Sequence, residues 1–169
     1  EGLEVTTGLA PGLDHAHYYP GAQFVGLKMV AETPTGRLLG VQAVGPGDGA
    51  KRRDVAATAL TLGATVEQLT QLNLGYSPPY NVAIDPLANA AQVLENKLSG
   101  LAKSLSPQEV QTLTEQEEDF MLLDVRTPKE FQEVRLDHPN AFAMPLGKLR
   151  DKAGAFPKDR LYIPFCKFS

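Results

Sequence analysis

The chain has 169 residues, of which 43% are hydrophobic and 21% charged, and its formal net charge is −4. A chain this rich in apolar residues can bury a core, so wholesale disorder is excluded, and its mildly acidic balance argues against a nucleic-acid partner. Its single cysteine excludes an internal disulfide framework, and no apolar run approaches the roughly 20 residues that span a bilayer. We therefore expect a soluble, cytoplasmic, globular protein with no membrane partner.

Two apolar-rich runs in the first half of the chain predict a β-hairpin. They cover residues 23–30 and 37–44, and the turn between them contains Pro34 and Gly36. Proline presets its own φ and glycine tolerates a positive φ, so this pair suits a tight turn. The first half is therefore expected to begin with antiparallel strands.

Helix signals follow the hairpin. Residues 50–62 carry apolar side chains at spacings of three and four, which predicts one apolar helix face. That face would consist of Val55, Ala59 and Leu62. Asp85, followed by a proline, opens the longest predicted helix, which is expected to run to about residue 101. A hairpin followed by helices indicates an α+β fold for the first half.

The pattern changes in the second half. Ser106 opens a capping box with a proline at the first helical position, and residues 120–125 form an apolar run typical of a buried parallel strand. Residues 161–165 indicate a second such strand. Because strand and helix alternate here, a parallel α/β sheet is predicted. We expect two domains, residues 1–103 and residues 104–169.

Two segments resemble ligand sites only superficially. His15 and His17 share a face of an extended segment, but beyond Asp14 no residue at ligand spacing supports a metal ion. The glycine-rich residues 45–49 precede a basic run but lack the spacing of a nucleotide-binding loop. We expect surface or hydrogen-bonding histidines, no metal, and a strand-to-helix turn with a solvated basic edge. Contact between that edge and a phosphorylated substrate tail stays an open alternative.

Cys166 is the one candidate nucleophile. It ends an apolar strand and precedes Lys167. Backbone N–H groups and a cation in such a loop can stabilise a thiolate or a persulfide. The alternative is a buried structural cysteine, which is common in proteins.

A longer motif precedes that cysteine. It consists of Asp124-Val125-Arg126 and of a later Ala-Met-Pro-Leu step into a helix. With these motifs, residues 106–166 resemble the rhodanese family, which implies that Cys166 carries sulfane sulfur. Pro164 weakens the last predicted strand, because it cannot donate to a central sheet position. The resemblance stops within the active loop, so we expect the N-terminal part of a rhodanese-like domain, truncated after its cysteine.

Five ordered motifs occur along residues 3–103, and the match that they define spans nearly all of that stretch. They cover residues 18–22, 40–45, 51–55, 76–80 and 85–86. In order and spacing they resemble the C-terminal dimerisation domain of flavin-dependent pyridine-nucleotide disulfide reductases, in the branch of coenzyme A-disulfide and polysulfide/persulfide reductases. Some members of that branch carry a rhodanese domain in the same order. The stretch from Leu9 to His15 is shorter than in the family, so a helix and part of a strand are expected to be missing there.

The resemblance implies a homodimer with a shared active site. In that family the dimerisation domain gives two tyrosines to the redox cysteine of the partner subunit, and these map to Tyr18 and Tyr76, with Tyr19 as the less favoured neighbour. A phenol stays protonated at neutral pH and can hydrogen-bond a thiolate leaving group. Cys166 would then pass sulfane sulfur to the reductase site.

The resemblance also implies a parent enzyme. That parent would use FAD and NAD(P)H to reduce coenzyme A disulfide, persulfide or polysulfide, with both cofactors bound by preceding domains. We therefore expect this chain to be a fragment that holds no cofactor and is inactive alone. Two alternatives stay open: a free-standing interaction module that uses the hairpin and the long helix, and a rhodanese-type sulfurtransferase that uses Cys166.

Overall fold

The computed structural model of the chain describes residues 2–167. They divide into two compact units, with the division between Ser104 and Leu105. The first unit contains an antiparallel sheet and the second a parallel sheet, so the architecture is mixed α/β. Within the part of the chain that is described, no helix has both the length and the apolar character to cross a membrane.

The first unit is a three-stranded antiparallel sheet with helices on one face. The strands lie in the order β1-β2-β3, and the elements are β1 (Val5–Leu13), β2 (Phe24–Glu32), β3 (Leu38–Val44), α1 (Ala50–Thr61), α2 (Val66–Thr70) and α3 (Pro86–Leu98). Strands β2 and β3 form the predicted hairpin, in which the Gly36 N–H donates to the Glu32 carbonyl at 2.9 Å. The positive φ of Gly36, +65°, explains why the turn needs glycine.

The core lies between the central strand and the helices. Alternate side chains of β2 are fully buried, which matches a strand with one covered face. On the other side of this core lies an apolar stripe of helix α3, which consists of Leu87, Ala90, Ala91 and Leu94. The helix ends at Leu98, with Ser99 as its C-cap, three residues before the predicted end near residue 101.

Helix α3 lies very close to strand β1. A Cβ placed on Gly8 would be 3.0 Å from the Leu94 Cβ and 3.2 Å from the Leu94 Cα. Only a residue without a side chain permits this approach of a helix to a strand. The same position therefore sets how closely the helix packs on the sheet.

Gly8→Val is accordingly expected to lower the free energy of unfolding of the first unit by about 1–3 kcal/mol, because overpacking pushes α3 off the sheet. Urea unfolding measures the loss. Gly40→Val is the matched control, since no atom lies within 4 Å of the Cβ it would add on β3. Equal losses in the two variants would contradict the packing argument.

Two predictions for the first unit need correction. Part of a strand is expected to be missing after Leu9, but strand β1 runs without interruption from Val5 to Leu13. Its glycines and proline obscure the alternating apolar pattern of a strand, and Pro11 is tolerated because β1 is an outer strand of this sheet. Helix α1 forms as predicted, but it buries Arg52, Ala56 and Ala59, whereas Leu62 is exposed. The buried face is rotated because Arg52 has a partner inside the unit, described below.

The second unit is a three-stranded parallel sheet in the order β5-β4-β6. Its elements are α4 (Pro107–Glu115), β4 (Phe120–Asp124), α5 (Pro128–Glu133), β5 (Ala141–Ala143), α6 (Leu146–Lys152) and β6 (Leu161–Phe165). The predicted parallel pairing of residues 120–125 with residues 161–165 is confirmed. Within residues 2–167, β6 pairs only with β4, so Pro164 lies on an outer strand, where a missing N–H costs little.

Candidate functional site: a tyrosine pair on two anchored loops

The structure brings Tyr18 and Tyr76 together. Their hydroxyl oxygens lie 2.8 Å apart, although the residues are 58 positions apart in the chain. The two side chains are 65% and 50% exposed, so both hydroxyls can be reached from solvent. The hydrogen bond between Tyr76 and Tyr18, with a smaller effect of desolvation, raises the pKa of Tyr76 above its ordinary value of 10.0. Tyr76 therefore keeps its proton at neutral pH.

The histidines of the same loop pack against the tyrosines. His17 contacts Tyr18 edge to face, with ring centroids 5.4 Å apart, and His15 contacts Tyr19 at 5.8 Å in the same geometry. His15 also places Nδ1 2.8 Å from the Asp14 carboxylate. Both histidines thus pack on this loop and His15 also pairs with Asp14, which stiffens the segment that carries Tyr18.

Asp14 closes the base of the loop that carries Tyr18. Its carboxylate accepts hydrogen bonds from the N–H groups of Gln23 at 2.9 Å and Asp48 at 3.0 Å. Burial alone raises the pKa of Asp14, but these hydrogen bonds and the nearby His15 outweigh it, so the pKa is lowered. An ionised, buried carboxylate therefore joins the two ends of the loop to the turn that precedes α1.

Arg52 is the largest fully buried side chain of the chain's described part, and its side chain is only 1% exposed. Its guanidinium pairs with the Asp85 carboxylate, with Nη2–Oδ2 at 2.8 Å and Nε–Oδ1 at 3.3 Å. It also donates to the carbonyls of Asp14 at 2.6 Å and Asp48 at 2.9 Å. One side chain therefore links helix α1, the loop of Tyr18 and the start of helix α3.

The sequence prediction missed this role, since it placed Arg52 in a solvated basic edge. That prediction is wrong for Arg52 and holds for its neighbour Arg53, which is exposed. A signal was present: Arg52, Ala56 and Ala59 follow helical spacing, so they share one face. A charged residue on a face of buried alanines needs an internal partner, and Asp85 provides it.

The loop that carries Tyr76 is tied to the loop of Tyr18 through the backbone. The Ala16 N–H donates to the Pro78 carbonyl at 3.2 Å, and the Tyr19 N–H donates to the Ala16 carbonyl at 2.8 Å. Tyr80 ends the same loop and is 71% exposed. The tyrosine pair thus stands on two loops that are fastened to each other and to the buried ion pair.

Cys166 belongs to the second unit. It follows β6 directly and is exposed. Near it, the Arg126 guanidinium pairs with the Asp124 carboxylate, with Nε–Oδ1 at 2.8 Å and Nη2–Oδ2 at 2.6 Å. The hydrogen bond to Asp124 is the main cause of the raised pKa of Arg126, and the nearby Cys166 makes a smaller contribution. A fixed cation therefore lies near Cys166.

The Asp124–Arg126 pair makes the second unit sensitive to acid. The hydrogen bond from Arg126 lowers the pKa of Asp124 below its ordinary value of 3.8, so the folded unit releases this proton more readily than the unfolded chain. The stabilising effect of the Asp124–Arg126 pair is therefore complete above about pH 4 and is lost as the pH falls through the lowered pKa of Asp124.

Asp124→Asn is expected to flatten the dependence of stability on pH below about pH 4. Urea unfolding followed by NMR signals of β4 measures this between about pH 3 and pH 6. The matched control is Asp137→Asn, at an exposed position of the same unit. If Asp124→Asn keeps the full acid sensitivity of the unmodified chain, the ion pair is not its source.

The turn at residues 45–49 does not fit the pyrophosphate of a dinucleotide. Such a site needs free N–H groups at the start of the following helix. Here the Asp48 carboxylate accepts from Ala50 at 3.0 Å and from Lys51 at 3.4 Å. The Asp48 N–H itself donates to Asp14 at 3.0 Å. These donors are occupied by the protein's own carboxylates, so this turn offers no cradle for FAD or NAD(P)H.

The chain is similar to several known proteins. It is 41% identical over 95 residues to the NAD(P)H coenzyme A polysulfide/persulfide reductase of Pyrococcus horikoshii, a match that covers 56% of this chain and 21% of that protein. An NAD-dependent persulfide reductase from A. fulgidus matches 98% of this chain and 29% of its own, at 36% identity and a TM-score of 0.85. Reduced Bacillus anthracis CoADR-RHD matches 97% of this chain and 29% of its own, at 30% identity and a TM-score of 0.88.

The chain thus spans about a fifth of the length of the curated relatives it matches. Residues 1–88 match the dimerisation domain of pyridine nucleotide-disulphide oxidoreductases. These residues contain the antiparallel sheet, both tyrosine-bearing loops and the start of helix α3. Through this domain, the chain belongs to the pyridine nucleotide-disulphide oxidoreductase family.

Proposed function

We propose that this chain supplies the dimer interface and two active-site tyrosines of an FAD- and NAD(P)H-dependent reductase. Its substrate would be coenzyme A disulfide, a coenzyme A persulfide or a polysulfide. The observation that carries the proposal is the exposed pair Tyr18–Tyr76, with hydroxyls 2.8 Å apart on two anchored loops. The names of two relatives, a coenzyme A polysulfide/persulfide reductase and a persulfide reductase, support the substrate class.

The chemistry of the pair suits disulfide cleavage. Either hydroxyl can donate to the other. Because Tyr18 is the more exposed of the two residues, the proposal assigns Tyr76 as the donor to the Tyr18 oxygen. The Tyr18 O–H is then left to donate to a sulfur atom. A leaving thiolate stabilised in this way departs more readily from a disulfide or a polysulfide.

The exposure of the pair supports a homodimer. In such a dimer, the tyrosines of each subunit would complete the redox site of the other subunit. In this proposal, FAD and NAD(P)H are bound by other domains of the whole reductase. The contribution of this chain to catalysis would then be proton donation and positioning.

For the second unit we propose a rhodanese-like role in which Cys166 carries sulfane sulfur. The exposed thiol, the nearby cation of Arg126 and the fusion order of the two units support this role. In the whole reductase, Cys166→Ser should reduce turnover with polysulfide and leave turnover with coenzyme A disulfide unchanged. Equal loss with both substrates would count against sulfur delivery by Cys166.

The decisive experiment uses the whole reductase that contains this chain. Oxidation of NADH and of NADPH is followed with coenzyme A disulfide, coenzyme A persulfide and polysulfide as separate substrates, and sedimentation gives the oligomeric state. Acceleration by at least one of these substrates and a dimer are expected. No acceleration by any of them, or a strictly monomeric reductase, would overturn the proposal. The isolated chain should oxidise neither nucleotide.

A further inference from the structure

The loop that carries Tyr76 is exposed, yet it holds the Tyr76 hydroxyl in a fixed position. It connects α2 to α3 without a helix or strand of its own, and Tyr76 is half exposed at its surface. An exposed loop of this kind is ordinarily the mobile part of a protein. Yet its tyrosine must hold a hydroxyl 2.8 Å from that of Tyr18. Some buried group has to fix the backbone at this point.

The side chain of Asn81 is that group. Asn81 is 1% exposed, and its two amide atoms bond to the backbone on either side of Tyr76. The Ser77 N–H donates to Oδ1 at 2.8 Å, and Nδ2 donates to the Gly75 carbonyl. The orientation of the amide is settled by its partners, because an N–H can only donate and a carbonyl can only accept.

The backbone groups that directly follow Ser77 are absent or already used. Pro78 and Pro79 carry no N–H, and the N–H groups of Tyr80 and Asn81 both donate to the Ser77 carbonyl, at 2.9 Å and 3.0 Å. The carbonyl of Pro78 accepts from the loop of Tyr18. The position of Tyr76 between its two neighbours therefore depends on one buried side chain.

Position 81 requires a carboxamide side chain, because the group must bond to both the Ser77 N–H and the Gly75 carbonyl. A carboxamide offers one acceptor and one donor within a single short group. Aspartate would lack the donor and set a negative charge against the Gly75 carbonyl, and serine is too short to reach both partners. Either replacement leaves at least one of the two backbone groups that flank Tyr76 without its bond to residue 81, so the loop is no longer fixed on both sides of Tyr76.

We propose that Asn81 is a positioning residue that sets the distance between the hydroxyls of Tyr76 and Tyr18. It acts through the backbone of Tyr76 and does not face the substrate. Its importance for catalysis rests on the proposed function, since small displacements of a positioned donor cost much of the rate. Its structural effect can be tested separately, on this chain alone.

The experiment compares Asn81→Asp and Asn81→Ser with Asn73→Asp, a matched change at an exposed asparagine of the preceding segment. With tyrosines labelled at ¹³Cζ, NMR reports the titration of each phenol. We expect the pKa of Tyr76 to fall back toward 10.0 in both Asn81 variants, because the hydroxyl pair opens, and to stay raised in Asn73→Asp. Exchange of the Ser77 amide should become about tenfold faster in the Asn81 variants.

A folded Asn81 variant in which Tyr76 titrates as in the unmodified chain would overturn the proposal. So would fast exchange of the Ser77 amide in the unmodified chain, a measurement that needs no variant to fold. In the whole reductase, the Asn81 variants should lower kcat and leave KM for the nicotinamide cofactor unchanged. If Tyr18→Phe and Tyr76→Phe leave turnover unchanged, the proposed function fails, while the titration and exchange results still decide the role of Asn81.

Discussion

Arg52→Met is expected to lower the free energy of unfolding of the first unit by about 3–5 kcal/mol, because it leaves the Asp85 carboxylate buried without its cation. Methionine keeps most of the volume, so the loss reflects charge and hydrogen bonding more than a cavity. The carbonyls of Asp14 and Asp48 lose their donor at the same time. Urea unfolding of the whole chain, followed by signals of the first unit, measures the effect.

The neighbouring residue provides the control. Arg53→Met changes the same residue type on the exposed side of helix α1 and should alter the free energy of unfolding by no more than about 0.5 kcal/mol. Arg52→Met combined with Asp85→Asn should be less destabilised than Arg52→Met alone, because asparagine removes the unpaired charge and can still cap α3. A loss below about 1 kcal/mol for Arg52→Met would show that the ion pair does not hold the loops.

Tyr18→Phe is expected to lower kcat of the whole reductase by about 10²-fold, within the range that a positioned proton donor contributes. Phenylalanine keeps the ring and its contact with His17 but removes the hydroxyl that we propose as the donor to the sulfur. Tyr76→Phe should lower kcat by a smaller factor, since Tyr76 acts by orienting the Tyr18 hydroxyl. Steady-state oxidation of the nicotinamide cofactor at saturating disulfide gives both values.

The two tyrosines should act as a unit. The double variant is expected to lose little more than Tyr18→Phe alone, because the role of Tyr76 depends on its partner. Tyr80→Phe is the control, an exposed tyrosine at the end of the same loop, and it should stay within about twofold of the unmodified enzyme. If Tyr18→Phe retains the full rate, the proposed catalytic role of Tyr18 is wrong.

Local signals predicted much of the secondary structure. The capping box at Ser106 and the N-cap at Asp85 form the expected side-chain hydrogen bonds, and Thr65 and Thr127 open capping boxes of the same kind. These signals succeed because the donor and the acceptor lie within three residues of each other. The same holds for the turn at Gly36, whose positive φ needs only the glycine itself.

Local signals did not predict strands β1 and β5, which depend on contacts with distant parts of the chain. Strand β1 has a weak pattern of its own and forms because β2 offers it a complete antiparallel register from Val5 to Leu13. The three-residue strand β5 is too short for any periodicity and exists through its pairing with β4. For both strands the stabilising partner lies elsewhere in the chain.

By itself, then, the sequence determined where helices begin, where the hairpin turns and which reductase family its ordered motifs resemble. Only the tertiary structure decided that Arg52 is buried against Asp85, that Asn81 holds both flanks of Tyr76, and that the hydroxyls of Tyr18 and Tyr76 meet. The physical reason is distance along the chain. Caps and turns are satisfied within a few residues, whereas a buried charge or amide takes its partner from whichever segment the packing brings beside it.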